Sequence, residues 1–188
     1  MEEAKEPQDM IRAKHALVVI AQRGFQDKEL AGTLLGLHSA DFHVTLCGKE
    51  VDANCLGKLG GKQKTEIAMR DVNVEEFDRI AFIGGPGARA LAEDAEALDL
   101  CRRFEEEGKI IGAICVAPLI LAAAGVLDGH NATVFDSGKG EEIRFLELHK
   151  AKFVPKVPVV VDAPIITANG PEAAEEFGKE FAFANEKI

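Results

Sequence analysis

Apolar positions along the chain fall into short runs alternating with helical stripes. Residues 17–21 and 79–83 are nearly continuous apolar runs, as strands covered on both faces are. Residues 42–47 and 109–114 read as two further strands. Between the first two strands, Gly24 opens a turn and Asp27 is placed to cap a helix through His38. Leu30, Leu34 and Leu37, with Leu35 as an alternative member, give that helix its apolar stripe. After Gly87 a long helix is predicted, with Leu91, Ala95, Leu98, Cys101 (or Leu100) and Phe104 on its inner face. Gly108 suits its left-handed C-terminal position.

The remaining segments are less regular. Residues 48–61 are rich in Gly, Lys and Asn without a period, which predicts a surface loop or irregular hairpin. Residues 132–135 read as a strand and 141–150 as a helix. Residues 157–161 and 165–168 read as a hairpin turning at 162–164. A closing helix follows Gly170 and Pro171, with Glu172, Glu175 and Glu176 near its positive end. Strands alternating with helices predict an α/β sheet protein. The 188 residues suit one domain, with residues 1–14 as a loose N-terminal extension.

One stretch departs from this texture. Residues 110–127 are 18 residues without a charge, the length at which a membrane span enters consideration. Gly112, Pro118 and Gly125 interrupt it, however, and an interior proline costs a single helix about 3 kcal/mol or more. The run therefore reads as strand, sharp turn and helix, with Cys115 at the bend. A thiol there meets the amides at a helix N-terminus, which stabilise a thiolate and can hold an oxyanion, as at a nucleophile elbow. The same position also suits a small residue filling a tight corner, and spacing alone leaves both readings open.

Charge narrows the function classes. Asp and Glu outnumber Lys and Arg 32 to 22, a net charge of −10. That balance argues against gripping nucleic acid through phosphates and against a polybasic membrane-surface role. The acidic start of the chain lacks the pattern of a signal peptide, so the cytoplasm is the expected compartment. Cys47, Cys55, Cys101 and Cys115 include no C-x-x-C pair and no histidine at zinc spacing, so no metal is expected. Cys47 and Cys101 fall on apolar faces, and Cys55 lies in the glycine-rich loop. A Cys47–Cys55 bridge is disfavoured in a reducing compartment. His15, His38, His43 and His149 form no metal or triad spacing. His130, between Gly129 and Asn131, reads as a solvated turn residue. The turn at Gly84, Gly85, Pro86 and Gly87 ends a strand where ligands of open α/β folds bind, and it lacks phosphate-loop spacing.

The segments from Ile83 through the glycine turn to Ala88, and from Ala113 through Cys115 and Pro118 to Gly129, resemble the ThiJ/PfpI superfamily. The resemblance spans the chain from Leu17 to the start of the closing helix. It implies a flavodoxin-like three-layer α/β sandwich with a mostly parallel sheet, the fold of class I glutamine amidotransferases. It implies a homodimer and no cofactor. Cys115 falls on the family's reactive cysteine, and Gly85 and Val116 on its oxyanion-binding amides. The family's glutamate, whose protonated carboxyl donates to the cysteine sulfur, is matched to Gln26, which cannot shuttle a proton. Val116 stands where the protease branch has histidine. Phe135 and Asp136 stand where the deglycase-like branch has one, and Asp136, His130 and Ser137 are the nearest polar candidates.

Two functions follow from this reading. In one, Cys115 attacks the carbonyl of an amide, a glycated adduct or a 2-oxoaldehyde, with a small molecule or peptide as substrate. In the other, Cys115 is a redox-sensing or vestigial site, with Gln26 stabilising an oxidised sulfinate.

Overall fold

The structure is a computed structural model that describes residues 13–185. The N-terminal extension expected over residues 1–14 lies, apart from residues 13 and 14, outside the described residues. In chain order the elements are β1 (His15–Val19), β2 (Arg23–Phe25), α1 (Asp27–Ser39), β3 (His43–Gly48), β4 (Asn54–Gly57), β5 (Lys62–Lys64) and β6 (Ile67–Ala68). Then come β7 (Arg79–Phe82), a 3-10 segment (Pro86–Glu93), α2 (Ala95–Glu106), β8 (Ile110–Ile114) and α3 (Pro118–Ala124). The chain continues with β9 (Asn131–Ala132), α4 (Glu141–Leu148), β10 (Lys152–Phe153), β11 (Val159–Asp162), β12 (Ile165–Ala168) and α5 (Ala174–Phe183).

Seven strands form the central sheet in the order β11-β12-β8-β7-β1-β3-β6. Every pairing is parallel except β11 with β12. Residues 16–19 of β1, all of β7 and all of β8 are buried, which accounts for their unbroken apolar runs. The sheet is flanked by helices in a flavodoxin-like three-layer α/β sandwich, the predicted fold class. α5 lies on β8 and β12, while α2 and α3 pack on each other and on β8.

α1 and α5 meet backbone to backbone. A Cβ on Gly36 would stand 2.1 Å from the Gly178 carbonyl oxygen, and one on Gly178 would stand 2.1 Å from that of Gly32. No side chain fits between the helices at those points. Arg79, buried at the start of β7, donates to the carbonyls of Phe181 and Ala182 and caps the end of α5 with a cation.

The uncharged run resolves as strand, bend and helix, and no helix among the described residues is long and apolar enough to cross a membrane. Pro118 opens α3, and Gly125 ends it in the left-handed conformation at φ 89°. Gly112 breaks nothing. It sits inside β8, where a Cβ would collide with the rings of Phe181 and Phe177.

Other expectations shift locally. The predicted long helix after Gly87 divides at Asp94, whose carboxylate accepts the amides of Glu96 and Ala97 and restarts the chain as α2. The buried face of α2 is Ala97, Leu100, Cys101 and Phe104, with Ala95 exposed and Leu98 half-buried. Gln26, not Asp27, caps α1, and Leu35 faces solvent. Asp27 instead accepts the amides of Leu59 and Gly61, each at 2.7 Å. The glycine-rich loop contains β4 and leads into β5, and the two join β2 in a small second sheet. Residues 133–135 leave the predicted strand, because Thr133 donates to the Thr167 hydroxyl and Phe135 to the Cys115 carbonyl. All four cysteines are free and buried.

Candidate active site

The sheet delivers its chemistry at the C-terminal ends of β7 and β8, as expected of an open α/β fold. β8 ends at Ile114, and Cys115 turns sharply with φ 65°, a conformation costly for a residue with a Cβ. Hydrogen bonds on both sides hold it there. Its amide donates to Ala168 at the end of β12, and its carbonyl accepts from Phe135, both at 2.8 Å. The side chain stands at the start of α3, 7% exposed.

The turn after β7 supplies the opposite wall. Gly84 has no room for a side chain: a Cβ would stand 2.6 Å from Cys115 Cβ and 2.7 Å from Glu29 Oε2. Gly85 adopts φ 100° and is pressed against Gly24 and Gln26, which turns its amide inward. The amides of Gly85 and Val116 both donate toward the Cys115 sulfur. The two predicted oxyanion positions therefore converge on the predicted cysteine.

Gln26 does not join them. Its backbone amide donates to the Gly84 carbonyl at 2.9 Å, but its side-chain oxygen caps its own helix through the Lys28 amide at 3.3 Å. The acid at the thiol is Glu29, in the first turn of α1 and fully buried. Its Oε2 accepts the Gly84 amide at 2.9 Å, and its carboxyl faces Cys115 within hydrogen-bond reach. The expected loss of the family's glutamate is thus corrected, since the carboxyl stands one helical turn further on. A sequence signal existed: Glu29, Thr33 and Leu37 recur every four residues along the buried stripe of α1.

Burial pushes the Glu29 carboxyl up to about 7, against the opposing pull of the Cys115 hydrogen bond, the Gly84 amide and the Lys58 charge. Burial and then the Glu29 charge push the Cys115 thiol up to about 12, while the Gly85 and Val116 amides pull it down. The cause common to both groups is burial: one dry corner disfavours either charged form, and the Glu29 charge adds to the cost of a thiolate. A thiolate is favoured when Glu29 keeps its proton and donates it toward the sulfur.

The other predicted residues lie nearby in different roles. Phe135, half-buried, borders a cavity of about 700 Å³ with Ile143, Phe153, Pro155, Asn169 and Pro171. Asp136 is exposed and accepts the Gly138 and Gly140 amides, closing its own loop. Ser137 bonds to Glu142. His130 is tied to Asp162 at 3.3 Å rather than freely solvated. His15 and His43, unrelated by spacing, meet at 2.9 Å at the opposite end of the sheet.

The match to known proteins is continuous along the chain. The model of the DJ-1/PfpI family matches residues 14–184. A protein of Methanocaldococcus jannaschii is 33% identical over 98% of this chain and 88% of its own. A glutathione-independent glyoxalase of Caenorhabditis elegans is 28% identical over 89% of this chain and 87% of its own. The crystal structure of a ThiJ/PfpI domain protein from Brachyspira murdochii superposes with a TM-score of 0.84 at 27% identity, covering 89% of this chain and 94% of that one. Other relatives are named as a deglycase of Pyrococcus horikoshii and a general stress protein of Bacillus subtilis. Matched over nearly all of its described residues, the chain belongs to the DJ-1/PfpI family.

Proposed function

We propose that this protein is a cysteine-dependent enzyme acting on reactive carbonyls, with 2-oxoaldehydes and their adducts on amines as the substrate class. The observation that carries the reading is the buried Glu29 carboxyl facing Cys115 where the Gly85 and Val116 amides converge. Names of relatives, a glyoxalase and a deglycase, support the same class.

In the reaction, the Cys115 thiolate forms an S–C bond to the carbonyl carbon, and the C=O pair moves to oxygen. The Gly85 and Val116 amides hold that oxyanion. The Glu29 proton then passes to the oxygen, leaving a carboxylate that serves as base for the following proton transfer. For a 2-oxoaldehyde, internal proton transfer and hydrolysis of the resulting thioester give the 2-hydroxy acid, with one water consumed and the thiol regenerated. Gln26 stays with its helix and takes no chemical step. A homodimer in the cytoplasm is the accompanying expectation, with sedimentation as its check.

A second reading is favoured by the resemblance, which matches the deglycase-like branch's histidine to Phe135, an apolar residue that cannot carry a proton. On that reading, peroxide oxidises Cys115 and no turnover follows. The test is to assay glyoxalase, deglycase and peptidase activity in wild type, Cys115→Ala and Glu29→Gln. Turnover of 2-oxoaldehydes or glycated amines lost in both variants is expected. Absence of carbonyl turnover, with selective peroxide oxidation of Cys115, overturns the enzyme reading in favour of the sensor.

A further inference from the structure

Glu142, the second residue of α4, is a carboxylate buried to 2% exposure away from the reacting groups. Its Oε1 takes the Arg89 guanidinium in a close ion pair. Its Oε2 accepts from Ser137 twice, from the amide at 3.3 Å and the hydroxyl at 3.1 Å. Burial pushes this carboxyl up, but Arg89 and Ser137 outweigh it and hold the group at about 2, so it is charged at any physiological pH.

The partners come from the two loops that flank the thiol. Arg89 rides on the 3-10 segment that begins immediately after Gly85. Ser137 lies two residues beyond Phe135, whose amide holds the Cys115 carbonyl at 2.8 Å. Neither segment is a strand of the central sheet at these points, and the carboxylate joins the one to the other. The carboxylate is enclosed while the guanidinium is half exposed, and what the pair and the Ser137 bonds supply is a fixed geometry.

We propose that Arg89, Glu142 and Ser137 form a positioning clamp that keeps the Gly85 amide aimed at Cys115 Sγ and thereby sets the reactivity of the thiol. The clamp deepens the enzyme reading and rests on Cys115 as the reacting atom. None of the three residues touches the sulfur. Their effect passes through the direction of one N–H, and hydrogen bonds to a charged acceptor weaken steeply with misalignment.

The test reads the thiolate through its chemistry. The rate at which iodoacetamide alkylates Cys115 at pH 8 is proportional to the thiolate fraction even where that fraction is small, and is measured against Cys115→Ala. Arg89→Ala is expected to lower the Cys115 thiolate fraction about tenfold, with Arg89→Lys recovering part of it. Arg70→Ala, which removes the exposed Arg70–Glu50 pair, is expected to leave the fraction unchanged. If Glu142→Gln does not fold, Arg89→Ala decides alone, because its guanidinium is half exposed. A lowered melting midpoint with an unchanged alkylation rate overturns the clamp, as does a wild-type chain whose Cys115 is not alkylated. A lowered fraction in a protein that turns over no carbonyl leaves the clamp standing and sinks the enzyme reading alone.

Discussion

Glu29 approaches Cys115 from the first turn of α1, and the Gly84 amide at 2.9 Å from its Oε2 fixes one carboxyl oxygen. The other oxygen, Oε1, is buried without a hydrogen-bond partner that meets ordinary geometry among the described residues. A bare carboxylate oxygen in such a place is costly, whereas a protonated carboxyl carries no charge to desolvate and can donate to the Cys115 sulfur. Proton retention by Glu29 is therefore built into the pair.

That retention has a thermodynamic signature. The folded-state carboxyl is raised from 4.5 to about 7, so the folded protein binds the proton more tightly than the unfolded chain. The stability this contributes is complete below pH 4.5 and is lost as pH rises through about 7, by about 3 kcal/mol in order of magnitude. Glu29→Gln is expected to flatten this dependence and to abolish carbonyl turnover. Urea unfolding at pH 5 and pH 8 compares the two proteins.

His15 sets an opposite slope. Burial first, then the neighbouring His43, lowers the His15 pKa from 6.5, despite the opposing pull of Asp78 and Glu76. The folded state thus binds fewer protons than the unfolded one. Stability is complete above pH 6.5 and is lost as pH falls below it. His43→Ala is expected to weaken that loss while leaving the Glu29 slope in place. The same unfolding series, run from pH 5 to pH 7.5 on each variant, separates the two.

Gly36→Ala is expected to destabilise the protein by about 3 kcal/mol or more, because the helices must part to admit the methyl group. Gly125→Ala meets nothing within 4 Å and carries only the strain of its φ of 89°, about 1 kcal/mol. Thermal unfolding of the two variants should separate them clearly, and equal losses would contradict the backbone contact.

Asp27→Ala releases the amides of Leu59 and Gly61 and is expected to cost about 1–2 kcal/mol. The loss should be local. Limited proteolysis between residues 57 and 61 should accelerate more than global unfolding does.

The sheet and the elbow were legible in the sequence because local signals mark them. Continuous apolar runs mark buried strands, and Pro118 and Gly125 bracket α3. Gly84 and Gly85 end a strand where only glycine fits. Glu29 was missed because counting along the turn favours Gln26, while the three-dimensional choice is made by helix phase. The cap turns Gln26 back on α1, and the residue one turn later faces the sheet. The Arg89–Glu142 pair and the His15–His43 pair were not legible at all. Each joins segments distant in sequence, and nothing in either segment alone specifies the other.

The glycine contact between α1 and α5 reaches beyond packing. Glu29 travels with α1, α1 is seated on α5 without intervening side chains, and α5 rests on β8, whose next residue is Cys115. Acid and thiol are thus surveyed from a common baseline laid down by the C-terminal helix. A change near Gly178, remote from any reacting atom, would be felt first as a wrong separation between a proton and a sulfur.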